Sequence, residues 1–147
     1  LTMLVSALIT GGVGPWLPNQ MLTAGWVGLS SALARRLVLL THQENKPFEW
    51  IILLIFGFVW GYMYGVITNL WFWPFLSGPS NQQFVPGSSF TMAMRNYGIF
   101  YLATSLIWDT TRAIGNILLI LFFGKATIQV LRRFQKRFYF VQLGEEN

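Results

Sequence analysis

The stretch Gly11–Arg36, GGVGPWLPNQMLTAGWVGLSSALARR, decides how the rest of the chain is read. It joins a Gly/Pro-rich loop, an uncharged apolar run and two arginines. Pro15 and Pro18 remove backbone donors and the glycines favour turns, so residues 11–18 read as loop rather than regular helix. Met21 to Ala34 carries no charge. At about 1.5 Å per residue, this run and its flanks are long enough to cross a bilayer. Basic residues beside spans are retained on the cytoplasmic face, so Arg35 and Arg36 mark that side and put the Gly/Pro loop outside.

The composition points the same way. Of 147 residues, 54% are apolar, 17% aromatic and only 10% charged, whereas soluble domains carry roughly a quarter charged residues. The mean hydropathy is +0.50. A net charge of +5 would suit a nucleic-acid binder, but the basic residues cluster at the ends of apolar runs, without the polar surface such a binder needs. There are no cysteines and one histidine, His42, which removes disulfides, thiolate chemistry and His-rich metal sites. No nucleophile stands beside a base, no phosphate-binding loop is present, and His42 has only Glu44 nearby in a polar connection. We expect no enzyme activity and no cofactor.

Taken in order, LTMLVSALIT (1–10) is too short to span alone and lacks the basic start of a signal peptide. It is expected to be the outer end of a helix that begins before residue 1. Asn19 is a plausible cap for a span over about 20–40, in which Ala24, Gly28 and Ala32 form a small-residue ridge. After the polar connection 41–49, with Pro47 and Glu49 suited to a first helical turn, a second span covers about 48–73. Gly57, Gly61 and Gly65 give it two overlapping GxxxG steps; Trp71, Phe72, Trp73 and Phe75 crowd its outer end, and Pro74 stops it. The uncharged loop 77–89 leads to a last span over about 92–124 and a basic tail, 125–147. The expected architecture is thus an all-α polytopic membrane bundle in one domain, with three full spans and part of a fourth. Arg35, Arg36, Lys46, Lys125, Arg132, Arg133, Lys136 and Arg137 fall on one side and only Arg95 on the other, with Arg112 inside the membrane. That bias predicts a cytoplasmic C-terminus in a multi-pass plasma-membrane protein, its basic tail against anionic lipid.

The polar residues inside this frame are the candidates for function. Asp109, Arg112 and Asn116 are spaced i, i+3, i+7 and share one helix face. A charge at mid-bilayer costs roughly 2.5–3.5 kcal/mol unless paired or facing a cavity. Two readings stay open: a self-neutralised pair that ties helices together, or the polar floor of a cavity opening outward. Asn69, Asn19 and Gln20 line the same space on the second reading; on the first they cap helices or bridge them. Trp16 and Trp73 near the outer boundary are either interfacial anchors or ligand-stacking rings.

Several motifs resemble a known family. Gly11–Met21 (GGVGPWLPNQM) with Ala24-Gly25-Trp26-Val27-Gly28, Gly61-Tyr62-Met63-Tyr64-Gly65 with Asn69-Leu70-Trp71, and Arg112-Ala113-Ile114-Gly115-Asn116 before the basic tail are similar to S components of energy-coupling factor (ECF) transporters. The nearest branch is the cobalamin-type and uncharacterised permease-like one. The resemblance covers nearly the whole chain. It implies the end of helix 3 and helices 4 to 6 of a six-helix subunit that binds a vitamin or related micronutrient at its outer face. It also implies partners: a transmembrane coupling subunit and two cytoplasmic ATPases. The expected substrate contacts are Trp16, Asn19, Gln20, Asn69 and Trp73, under loops 11–20 and 74–90 as a lid, with Asp109, Arg112 and Asn116 forming or bracing the floor. The alternative is a non-transporting membrane scaffold or assembly subunit held by the glycine ridges.

Overall fold

Helix is the only regular structure in the computed structural model, which describes residues 2–10, 12–40 and 47–137. In chain order the helices are α1 (Thr2–Thr10), α2 (Leu17–Leu40), α3 (Pro47–Phe72), α4 (Phe90–Thr104), α5 (Leu106–Leu119) and α6 (Lys125–Arg137). A 3-10 turn, Trp73–Phe75, follows α3, and a π turn, Ile120–Gly124, joins α5 to α6 without a break. His42 with Glu44, Lys46, and tail residues 138–147 lie outside the described residues.

The ends of these helices follow from their residues, with two departures from the sequence reading. The first concerns α2, which starts at Leu17 rather than after a cap at Asn19. The Leu17 N–H donates to the Gly14 carbonyl at 3.0 Å and that of Gln20 to Trp16 at 3.0 Å. Pro18 therefore sits in a first helical turn, where its missing N–H has no partner to lose, and Asn19 lies inside the helix. The second departure is larger. The span expected over 92–124 is two helices, because Ser105 leaves helical geometry (φ −120°, ψ −22°). Thr104 Oγ1 donates to the Phe100 carbonyl at 2.8 Å and lies 3.0 Å from Ser105 Oγ. Hydroxyls that bond back onto their own helix can bend it. At the start of α4, Ser89 Oγ accepts the Met92 N–H.

Two helical stretches are long and apolar enough to cross a membrane, Pro47–Phe75 and Leu106–Gln135. Their apolar side chains mostly face outward: Ile55, Phe58, Ile107, Trp108 and Phe122 are all exposed. In water such a surface would drive association; against lipid chains it carries no penalty. At 24 residues, α2 is comparable in length but less apolar, and it carries Arg35 and Arg36 near its end.

Packing centres on α3, which lies between α2 and α5, while α1 rests on α2 and α4 touches both α3 and α5. On the α5 side, Gly57, Gly61 and Gly65 are all buried. A Cβ at Gly61 would stand 2.4 Å from the backbone Cα of Ala113, itself 0% exposed. At the other end, Glu49 in the first turn of α3 is buried and takes two hydrogen bonds from Arg132 of α6, at 2.7 and 3.0 Å. Arg35 of α2 is 3.9 Å from the same carboxylate. One acid thus joins three helices where the basic residues gather.

Gly61→Ala should lower stability by about 1–3 kcal/mol, as overpacking of a filled interface does, because the obstructing atom is backbone and cannot rotate away. Gly28→Ala, in open space inside α2, should be neutral or stabilising by up to about 1 kcal/mol. Reversible unfolding in mixed micelles measures both, and equal midpoints for the two variants would contradict this packing.

Candidate functional site

The polar stripe of α5 is built into the α3–α5 interface. Asp109 is 2% exposed. Its Oδ1 accepts from Arg112 Nη1 at 2.5 Å and its Oδ2 from the Tyr101 hydroxyl at 2.7 Å. The same Arg112 nitrogen lies 3.3 Å from the Gly61 carbonyl, and the guanidinium stands 5.2 Å from the centre of the Tyr64 ring. One helical turn and more further on, Asn116 Nδ2 donates to the Gly57 carbonyl at 2.9 Å. The hydroxyls of Tyr62 and Thr110 meet at 3.0 Å. The reason these groups reach α3 backbone is local. A Cβ at Gly65 would collide with the Asp109 carboxylate, and one at Gly57 would meet Asn116 and Ile120. Absent Cβ atoms bring the α3 carbonyls within reach, and those carbonyls have a second lone pair to offer.

The ridge continues toward the C-terminal end of α3 to Asn69, four residues beyond Gly65 and on the same face. There the α5 partner has ended, because the break at Ser105 falls one turn before Asp109. The gap is a pocket of about 400 Å³ lined by Asn69 of α3, Gln82 and Ser77 of the following loop, and Phe100, Thr104 and Ser105 around the α4–α5 break. Leu76, Gly78 and Pro79 complete the wall.

The loop over this pocket is tied down on one side. Trp73 is buried and its indole N–H donates to the Gln82 carbonyl at 2.7 Å. Asn96 Nδ2 donates to the Gln83 carbonyl at 3.0 Å, and Gln83 Nε2 bonds back to the Gly78 carbonyl. Behind them, Trp73, Tyr97 and Phe100 form an aromatic cluster with edge-on contacts at 5.3 Å for Trp73–Tyr97 and Trp73–Phe84. The Tyr97 hydroxyl donates to the Val66 carbonyl at 2.7 Å.

The residues singled out in the sequence therefore separate into three groups. Asn69 lines the pocket. Asp109, Arg112 and Asn116 lie on the α3–α5 seam and are not among the pocket-lining residues; Trp73 stands behind the pocket wall. Trp16, Asn19 and Gln20 are at the start of α2 and do not contribute to the lining. Trp16 is 39% exposed, with its ring over Gly14 of its own loop. Sequence reasoning missed Gln82, Thr104 and Ser105. The adjacent hydroxyls of Thr104 and Ser105 within an apolar run were the signal for the last two; Gln82 had none beyond its place in an uncharged polar loop. Among the described residues, no group of three His, Asp or Glu side chains is arranged to hold a metal ion. Comparison with family models, curated proteins and solved structures finds no match.

The Tyr101–Asp109 hydrogen bond spans the helix break and should couple α4 to α5. In a double-mutant cycle, Tyr101→Phe and Asp109→Asn should show an interaction of about 0.5–3 kcal/mol, the range for residues in one network. Tyr101→Phe with Asn116→Ala, which share no partner, should add within about 0.5 kcal/mol. Reversible unfolding reads the five variants against the wild type, and additivity in the first pair would remove the coupling.

Proposed function

We propose that this chain belongs to the substrate-capture membrane subunit of an ECF-type importer. It binds a small vitamin-like molecule at its outer face and works with a transmembrane coupling subunit and two ATPases. The observation that carries this reading is the placement of the pocket. It sits at the Trp73 end of α3, opposite the end where Glu49 gathers Arg35 and Arg132. With the basic end in the cytoplasm, the pocket opens toward the outside, beneath an uncharged loop, as capture from outside requires. The motif resemblance supplies the coupling subunit and the ATPases. On this reading α2 is a third full span, α1 is the outer end of a fourth, and the plasma membrane is crossed several times. Catalysis and nucleic-acid binding are no part of it.

One observation favours the second reading, a non-transporting scaffold. The Asp109–Arg112–Asn116 stripe is occupied in holding α5 to α3, and bracing alone is a sufficient reason for its presence.

Purification of the full-length protein from native membranes separates the two. A coupling subunit and an ATPase pair should co-purify; a stable complex lacking any ATPase would favour the scaffold. Sidedness is checked by labelling with a membrane-impermeant maleimide. Ser80→Cys should react from outside in intact cells and Arg133→Cys only after permeabilisation; reaction of both from one side would remove the entrance. Asn69→Ala should weaken ligand binding by tenfold or more, about 1.4 kcal/mol, whereas Trp16→Ala tests the loop at the start of α2 as a second contact. Unchanged affinity in both variants would discard the site.

A further inference from the structure

The pocket's hydrogen-bonding pattern narrows what it can hold, on the premise that it is the capture site. None of its lining residues is ionisable. Thr104 donates its hydroxyl proton to the Phe100 carbonyl. In the 3.0 Å contact between Thr104 and Ser105, the donor must then be Ser105. Both hydroxyl protons are consumed within the chain, so each oxygen can serve a ligand only as an acceptor. In the same lining, the side-chain amides of Asn69 and Gln82 have no hydrogen-bond partner among the described residues. Each offers an N–H pair and a carbonyl oxygen. Phe100, Leu76 and Pro79 supply apolar walls.

A ligand matching this arrangement presents N–H donors toward Thr104 and Ser105 and an adjoining carbonyl toward an amide N–H. A carboxylate in the same place would set lone pairs against two acceptors, with no cation lining the pocket. An amidinium would satisfy the acceptors but lose its hydration without a counter-charge, since both Asp109 oxygens are already engaged. The volume of about 400 Å³ is near the lower end of the roughly 300–1,000 Å³ typical of ligand pockets. We infer that the pocket binds a small uncharged ring compound bearing a carboxamide- or imide-type donor–acceptor edge. A corrinoid macrocycle, the ligand suggested by the nearest branch of the resemblance, is far too large for it.

Benzamide, benzoate and benzamidine test this directly, because they set a neutral amide, an anion and a cation on one ring. Saturation-transfer NMR titrations on the full-length protein in nanodiscs should show benzamide binding at least tenfold more tightly than either charged analogue. The preference should disappear in Gln82→Ala and in Thr104→Val, which removes the acceptor with little change of shape. An unchanged thermal midpoint certifies each variant, and Gln82, on a loop, keeps the test open if Thr104→Val does not fold. Equal or tighter binding of benzoate or benzamidine overturns the assignment. So does benzamide binding that ignores both substitutions, or no binding of any of the three. Import is judged separately: ATPases co-purifying without an amide preference leave the importer standing and remove this ligand class. The preference without ATPases does the reverse.

Discussion

Everything in this molecule depends on how closely α3 and α5 approach. In a bilayer the lipid chains are as apolar as leucine, so helices gain nothing by hiding apolar faces from one another. What holds them is contact at short range and hydrogen bonds that find no water to compete. Gly57, Gly61 and Gly65 provide the first by lacking Cβ atoms along one face. The second follows from the same absence, because the carbonyls of Gly57 and Gly61, with no Cβ to shield them, become acceptors for Asn116 and Arg112. A carboxylate at Asp109 would be costly in such a place on its own. Arg112 and Tyr101 between them engage both of its oxygens, so it serves as a joint between α3, α4 and α5.

The pocket follows from where that close approach ends. Were the last span one continuous helix, α5 would run on past Gly65 and cover Asn69. Thr104 and Ser105 interrupt it instead, and the chain turns away just as α3 presents its first amide side chain. Tyr101, reaching back across the break to Asp109, holds the two segments at this angle. The aromatic cluster of Trp73, Tyr97 and Phe100 then backs the opening, and two loop carbonyls, those of Gln82 and Gln83, anchor its cover. The same residue choices that close the lower seam therefore leave the upper end open.

Much of this was legible in the residues because it depends on period and punctuation. Glycines at four-residue spacing mark a face; Pro47 and Pro74 mark helix ends; Asp109, Arg112 and Asn116 share a face because their spacing is helical. What such reasoning could not decide was which helix would meet that polar face. Its two readings, seam or cavity floor, differ only in the partner across the gap. The break at Ser105 was also hidden, since serine and threonine are compatible with a membrane helix, and hydroxyls that bond back, as those of Thr68 and Thr111 do, leave α3 and α5 unbroken. Asn19 as a cap failed for a related reason: proline in a first turn is as compatible with helix as with loop, and the Gly14 and Trp16 carbonyls decided it. The pocket's Gln82 comes from a loop with no period, so no pattern in the chain points to it.

A seam below and an opening above also bear on how one site can be selective without a charge. Asp109 lies one turn from the pocket, and an unpaired carboxylate there would favour any cation that entered. Arg112 pairs with it on the side away from the opening, its guanidinium over Tyr64 and against α3 backbone. The field reaching the pocket is thereby that of a close ion pair, which falls off faster than that of a single charge. On the proposed capture reading, with long-range attraction reduced, discrimination rests on short-range geometry: the acceptor oxygens at the helix break, the amides of Asn69 and Gln82, and the ring of Phe100. Polar sites of this kind reject a mismatched ligand more sharply than an apolar cavity does, because each wrong group leaves a partly buried donor or acceptor unsatisfied. On that reading, the ion pair that fastens the helices has a second consequence, a quiet electrostatic background in which hydrogen-bond pattern alone can choose.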